Sequence, residues 1–406
     1  MTNKKVTQLG PSGIQAFLGA FLAIGLVYVA VFLVPPLITV FVEELGFSYT
    51  QAGALMSVYL GGYAAASFVS GQLTDRYGPI KVMAAGLLIA SAATLIFPFV
   101  DSWIGWWLIA RIGIGVATAF VYAPGIVFVT RLLPDRLIST GVGIYFSGLS
   151  AGVTVAFVST PLIENAANWR LPFIVFGITI AVGCVLFLIT SRPVKERVSR
   201  RENITDRSTT QVREILKNKP FLNVCAALFF SMFIAYGVFT WIPPFLDESA
   251  GFSAGRISLA LGIAVALGMP ATVIAGWVSD RTGRPLTVAG CGFGMVATLI
   301  VLAAADQISF GLAMIMTIIA SFGATGGLVP LFALPSMVLK PDAAAKATGI
   351  ATSAAMSGAI VSTFLGGWLV GATDGYTIPF IVYVAITGIA LSIVFPFTHL
   401  SLRKNS

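Results

Sequence analysis

The chain reads as an all-α membrane protein: twelve transmembrane helices in two parallel, pseudo-symmetric six-helix bundles. Three observations lead there. Apolar residues make up 57% of the sequence and charged residues only 10%, where soluble domains average about 45–50% and about 25%. The mean hydropathy is +0.94, too few polar side chains to cover a water-facing surface. The sequence also repeats itself near half its length. This composition excludes a cytosolic enzyme, a secreted disulfide scaffold and a disordered chain.

Twelve apolar runs approach the roughly 20 residues that a helix needs to cross about 30 Å of hydrocarbon. They lie near 13–41, 50–72, 82–100, 103–129, 138–160, 170–190, 221–244, 257–278, 286–305, 308–335, 347–371 and 376–397. Only helices and closed barrels satisfy their backbone in lipid. The runs are continuously apolar rather than alternating, so they are helices.

Basic residues set the orientation. With the N-terminus inside, 21 of the 24 Lys and Arg fall on the cytoplasmic side, while Asp and Glu divide eight and eight. The bias belongs to Lys and Arg alone, as the positive-inside rule requires. The net charge of +8 is thus a topology signal, not a nucleic-acid footprint. The expected location is the plasma (inner) membrane, multi-pass, with both termini cytoplasmic and span 1 retained rather than cleaved as a signal. The lipid bilayer is the expected surrounding, and the expected working form is a monomer. Cys184, Cys225 and Cys291 sit in apolar runs without metal-ligand spacing, so neither metal nor cofactor is implied.

The repeat is read from five pairs in register. Gly46-Phe47-Ser48 returns as Gly251-Phe252-Ser253, and Gly71, Asp75, Arg76 and Gly78 return as Gly276, Asp280, Arg281 and Gly283. Tyr28 with Pro35-Pro36 returns as Tyr236 with Pro243-Pro244, Pro134-Asp135 as Pro341-Asp342, and Pro172–Val175 as Pro379–Val382. Six spans per half is even, so the halves enter from the same face as parallel repeats. The expected domains are 1–190, a cytoplasmic linker at 191–220, and 221–406.

The run Gly71-Gln72-Leu73-Thr74-Asp75-Arg76-Tyr77-Gly78-Pro79-Ile80-Lys81 and its copy from Gly276 to Arg284 resemble the paired loop motifs of the major facilitator superfamily. Arg111 with Gly115, and Asn168-Trp169-Arg170 with Phe173 and Gly177, are similar to its span 4 and span 6 motifs. The resemblance implies a 6+6 bundle, a central site lined by helices 1, 4, 7 and 10, and rocker-switch alternating access. It also implies that Asp75 faces helix 11 and Asp280 helix 5. Span 5 lacks the Gly-Pro element of proton-linked drug exporters. Spans 1 and 7 carry no charge, unlike phosphate-ester and nitrate carriers. The nearest look is that of bacterial small-organic-anion and monocarboxylate carriers, although their span 8 aspartate and arginine are absent.

Physical chemistry gives these residues candidate roles. Gly71, Asp75, Arg76, Gly78 and their copies Gly276, Asp280, Arg281 and Gly283 form a conformational latch, in which a carboxylate caps a helix N-terminus; the bland alternative is a pair of basic turns. Arg111 is the only ionisable residue deep in a span, at a cost of about 2.5–3.5 kcal/mol. It shares a helical face with Gly115, Thr118 and Tyr122. Two roles stay open for it: a cation that pairs with an anionic cargo, or a brace on carbonyls of helix 1. Tyr28, Tyr236, Thr240, Trp241, Ser321 and Thr325 offer further polar contacts, with core packing as the alternative for each. Gly148, Gly152 and Ala156, and Gly358, Ser362 and Gly366, are expected to pack the halves against each other.

No embedded carboxylate is available as a proton relay, so exchange or facilitated transport of a small carboxylate-type anion is the expected activity. The alternative is a multidrug exporter of amphipathic compounds. An intramembrane enzyme would need a metal cluster or a nucleophile–base set that the spans lack. A non-transporting receptor on the same fold is separated from a carrier only by an uptake measurement.

Overall fold

The computed structural model describes residues 10–99, 104–134, 138–195, 198, 212–249, 251–282, 309–338, 344–383, 385–386 and 388. Among them the long elements are all helices: α1 (Pro11–Phe32), α2 (Tyr49–Tyr77), α3 (Pro79–Ile96), α4 (Ile104–Leu132), α5 (Ile138–Ala166), α6 (Arg170–Ser191), α7 (Lys219–Pro244), α8 (Ala254–Thr282), α9 (Phe310–Val338) and α10 (Ala344–Thr373). Seven helices in the described residues are long and apolar enough to cross a membrane. The expected span at 286–305 and half of that at 376–397 lie outside the described residues. Leu18, Leu22, Val182, Val185 and Ile189 are each about half exposed on α1 and α6. Such apolar outer faces suit hydrocarbon.

Local chemistry places the helix ends. Pro11 stands at the first position of α1, where its missing N–H costs nothing. The helix stops at Phe32 because Pro35 and Pro36 can return no N–H to Val31 and Phe32. A 3-10 turn, Pro35–Leu37, and a two-turn helix, Ile38–Leu45, follow. The equivalent pair in α7 behaves differently: the helix runs through Pro243 and Pro244 into a wider turn at Phe245–Ser249. Gly46 then takes a φ of +68° and Gly251 one of +63°, a conformation open to glycine. Phe47 N–H donates to Phe41 O and Phe252 N–H to Leu246 O, each at 3.1 Å. This six-residue closure of a helix end occurs twice, 205 residues apart, so the repeated Gly-Phe-Ser codes a repeated turn. Between α2 and α3, Gly78 has a φ of +82° and Pro79 opens the next helix.

Two compact units make up the chain: Met1–Leu37 with Val58–Asn203, and Ile38–Ser57 with Ile204–Ser406. The segment Ile38–Ser57, which lies within the first sequence repeat, packs in the second unit. In the first unit α5 lies on α1, with the Gly25 carbonyl where a Cβ of Gly152 would be and the Phe21 carbonyl 2.7 Å from a Cβ of Gly148. In the second unit α10 lies on α7 in the same way, Gly358 seating against Phe229 O. The small-residue stripes therefore join helices inside each unit. This corrects the expectation that they pack the halves together. The expectation failed because every-fourth-residue spacing gives a close helix approach without naming its partner.

The first unit is closed at one end by aromatics. Phe97 stacks on Phe173 with centroids 4.5 Å apart, and Trp107 Nε1 donates to Phe97 O at 2.9 Å. Asn168 Oδ1 accepts from the Arg170 and Leu171 amides, starting α6, while Arg170 Nε donates to Pro98 O at 3.1 Å. Of the linker, Val198 is tied to α4 through Arg131 Nη1 at 3.1 Å, and Val212–Ile215 forms one helical turn.

Candidate functional site

Arg111 is wholly buried. Its Nη1 donates to Ala30 O at 3.3 Å and its Nη2 to Val31 O at 3.0 Å. Its guanidinium carbon sits 5.2 Å from the centroid of the Tyr59 ring. The cause lies in α1. Pro35 leaves the Val31 carbonyl without its i+4 amide, and a helix C-terminus carries a partial negative charge. A guanidinium supplies both the missing donor and the countercharge. Gly115 makes this possible, because a Cβ there would collide with Tyr59 O, so α2 and α4 lie close enough for the ring to cover the cation. Of the two roles left open by the sequence, this geometry is that of the brace.

The other polar residues divide into bonded and unbonded groups. Thr118 is fully buried and donates to Ile114 O at 2.8 Å, the back-bond of a helix interior. Thr325 donates likewise to Ser321 O at 2.7 Å. Tyr122 meets Tyr63 edge-on at 6.1 Å and packs on Phe146 at 5.2 Å. Tyr28 is buried in α1, and Tyr236 is half-buried in α7. By contrast, the hydroxyls of Thr240 on α7 and of Thr317 and Ser321 on α9 are buried and make no hydrogen bond among the described residues. Donors left so in a membrane interior cost free energy unless water or solute reaches them. Sequence reasoning named Thr240 and Ser321 but not Thr317, which stands one helical turn before Ser321.

Trp241 is buried in the second unit, its Nε1 donating to Thr363 O at 3.3 Å. Its ring is 6.4 Å from that of Tyr49, the first residue of α2 and part of the segment that joins this unit. Ser48 and Gln51 cap α2 reciprocally, the Ser48 amide donating to Gln51 Oε1 at 2.8 Å and the Gln51 amide to Ser48 Oγ at 3.2 Å. Next along α2, Gly53 faces Thr363 O, which a Cβ would meet at 2.6 Å. Ser57 Oγ lies 2.7 Å from Thr363 Oγ1 and donates to Ile360 O at 3.0 Å. At the end of this seam the Tyr49 hydroxyl donates to Glu248 Oε2 at 2.5 Å. Burial first, then the carboxylate beside it, push the Tyr49 phenol up to about 12, so it remains a donor. The S-x-x-Q pattern was readable in the sequence; the Tyr49–Glu248 pair, 199 residues apart, carried no signal.

Of the latch residues, Gly78 makes the turn described above. Nothing among the described residues lies within 4 Å of a Cβ on Gly71. Arg76 lies over the Tyr77 ring at 5.2 Å and Arg281 over Trp277 at 4.3 Å. Gly283, and the side-chain placement of Asp75 and Asp280 with the surroundings of Gly276, lie outside what the structure describes.

Comparison with known proteins fits this architecture. A probable sulfoacetate transporter, SauU, of Cupriavidus necator is 27% identical over 86% of this chain and 85% of its own. A hexuronate transporter of Bacillus subtilis is 25% identical over 72% and 69%, and a cis,cis-muconate transport protein of Acinetobacter baylyi 23% over 71% and 70%. The crystal structure of a bacterial homologue of the human lysosomal transporter Spinster superposes with a TM-score of 0.80 at 16% identity, covering 97% of both chains; this likeness is one of fold. The model of the Major Facilitator Superfamily matches residues 20–363. With its repeated helix turns, its two packed units and this match across most of its length, the chain belongs to the Major Facilitator Superfamily.

Proposed function

We propose that the chain moves a small organic anion of the carboxylate or sulfonate class across the plasma membrane by alternating access, as an exchanger or facilitator. The observation that carries this reading is the shared chemistry of the relatives. Sulfoacetate, hexuronate and cis,cis-muconate, named for three separate proteins, are all small acids ionised at neutral pH. The sequence agrees: it places no carboxylate deep in a span, where one would repel such a cargo.

In this reading Arg111 works at one remove. Held on Ala30 and Val31, it fixes the break of α1 and leaves a fixed positive charge in the membrane interior, whose field favours an anion. The unbonded hydroxyls of Thr240, Thr317 and Ser321 supply neutral donors, with Tyr28, Tyr122 and Tyr236 as further lining. Asp75 and Asp280 act in the cytoplasmic latch.

Purified protein in proteoliposomes tests the reading. Labelled sulfoacetate, a hexuronate and a dicarboxylate are offered beside a neutral sugar and a lipophilic cation, with and without internal cold anion. Uptake of at least one anion, stimulated by internal anion and needing no imposed pH gradient, is expected. Accumulation of the cation with no anion counterflow would overturn the proposal.

A further inference from the structure

Three aromatic side chains of the first unit meet one another across three helices. Tyr63 of α2 and Tyr122 of α4 stand edge-on with centroids 6.1 Å apart, and Phe146 of α5 lies against Tyr122 at 5.2 Å with the planes inclined by 34°. Each sits away from the outer flank of its helix. At about 100° per residue, Trp106, Ile109 and Ile112 lie about 80–160° round α4 from Tyr122. Ile144, Val155 and Leu162 lie about 160–180° round α5 from Phe146, and Val69 about 120° round α2 from Tyr63. All seven of these apolar side chains are about half exposed, as hydrocarbon-facing residues should be. Tyr63 is buried, yet Tyr122 and Phe146, on the inward flank, are only half-buried. Packing elsewhere in the unit covers its rings: Phe97 and Phe173, which stack on each other, are wholly buried. The open rings are held firmly in place. Tyr145, fully buried, donates its hydroxyl to Val121 O at 2.8 Å, and its ring lies 5.9 Å from Phe146. Gly125 leaves the room that this hydroxyl fills, since a Cβ there would collide with it. The bond pins α5 to α4 one residue from Phe146 and one from Tyr122.

We propose that Tyr63, Tyr122 and Phe146 form a stacking ledge for the body of the cargo, so that the protein prefers flat, unsaturated carboxylates or sulfonates to saturated ones of equal size and charge. This rests on the anion reading above and adds to it the shape of the solute. The three ledge side chains carry no charge, so they select the body and not the head group. An aromatic ring has a negative face and a positive edge, and neighbouring rings settle offset or edge to face. The Tyr63–Tyr122 and Tyr122–Phe146 pairs already follow that geometry, and the half-open rings leave it unfinished. An arene or a conjugated chain completes the arrangement with its own face and edges. A puckered saturated ring buries similar apolar area but has no π face, so it forfeits the aromatic contribution. Because Tyr145 fixes two of the three rings beforehand, little ordering cost falls on binding.

The test offers full-length protein in proteoliposomes two matched pairs of solutes: benzenesulfonate with cyclohexanesulfonate, and terephthalate with trans-cyclohexane-1,4-dicarboxylate. Within each pair the charge and ring size are equal and flatness differs. The KM is expected to be about two- to twelvefold lower for the planar member, equivalent to about 0.5–1.5 kcal/mol at about 1.4 kcal/mol per tenfold. Tyr122→Leu and Phe146→Leu are expected to bring the ratio of the two KM values to about one, and Tyr122→Phe, which keeps the ring, to retain it. A ratio between paired solutes is insensitive to a general loss of folded carrier, and the wild-type ratio decides the matter should a leucine variant not fold. Equal KM values within both wild-type pairs, or a planar preference kept by both leucine variants, overturn the proposal. Carriage of sulfoacetate or a hexuronate but of no planar anion also overturns it and leaves the anion reading standing. Carriage of no anion at all sinks both.

Discussion

Replacing Arg111 by lysine and by methionine separates a brace from a cargo ligand, because the two roles order the variants oppositely. As a brace, Arg111 donates charge-assisted hydrogen bonds to Ala30 O and Val31 O, at 3.3 and 3.0 Å, together worth about 3–5 kcal/mol, and makes a cation–π contact worth about 1–2 kcal/mol when desolvated. Methionine forfeits these but also sheds the cost of a charge in the membrane, about 2.5–3.5 kcal/mol. The net loss is about 0.5–4.5 kcal/mol, and the melting temperature falls by about 1–18 °C for a unit of this size. Lysine keeps the charge and its cost, yet its compact ammonium lacks the planar fork that spans both carbonyls and lies beneath the Tyr59 ring. Arg111→Lys is therefore expected to be the less stable variant. The assay is the monodisperse fraction on size-exclusion chromatography after graded heating in detergent, read beside uptake in proteoliposomes. If Arg111→Lys melts like wild type and transports, while Arg111→Met melts like wild type and does not, the guanidinium is a cargo ligand and the bracing argument is wrong.

Other perturbations are equally specific. Gly152→Ala drives a methyl into Gly25 O and is expected to cost about 1–3 kcal/mol, whereas Gly143→Ala, where nothing lies within 4 Å, is expected to be neutral or stabilising by up to about 1 kcal/mol; thermal unfolding of the pair checks the contrast. Ser48→Ala removes the reciprocal cap of α2 and is expected to cost about 1 kcal/mol, seen as faster hydrogen exchange over residues 49–52 with the remaining helices unchanged. Thr240→Val and Ser321→Ala delete hydroxyls that have no partner among the described residues, so stability holds or rises while the KM for the transported anion increases; an unchanged KM removes them from the site. Asp75→Asn is expected to alter conformational populations and transport rate, and fluorescence-based distance measurements that find neither change refute the latch.

Much of the architecture was legible because lipid forces regularity on the chain. Apolar runs, basic loops and paired turn glycines each follow from a single physical constraint, and Gly46, Gly78 and Gly251 adopt the conformations their places in the motifs require. What stayed hidden was pairing. The stripe at Gly148 and Gly152 announced a close neighbour, but only the fold identified it as α1. The equivalence of Pro35-Pro36 and Pro243-Pro244 was visible, yet one pair ends its helix and the other is carried through. Arg111 was conspicuous in a charge-free span, and its partners were not, since an orphaned backbone carbonyl leaves no mark in a residue string. The Tyr49–Glu248 contact was invisible for the same reason: neither residue is unusual where it stands.

The membership of Ile38–Ser57 in the second unit also bears on biosynthesis. At about 5–20 residues per second, the ribosome takes roughly 10–40 s to proceed from Tyr49 to Glu248, and longer to reach Thr363. Throughout that interval the hairpin has been made but its docking surface has not. Its glycine-lined flank at Gly53 must meanwhile rest against lipid or the insertion machinery. The earliest helices can thus be threaded promptly and still finish folding last, so truncated nascent chains should leave this hairpin open to protease until α10 has emerged.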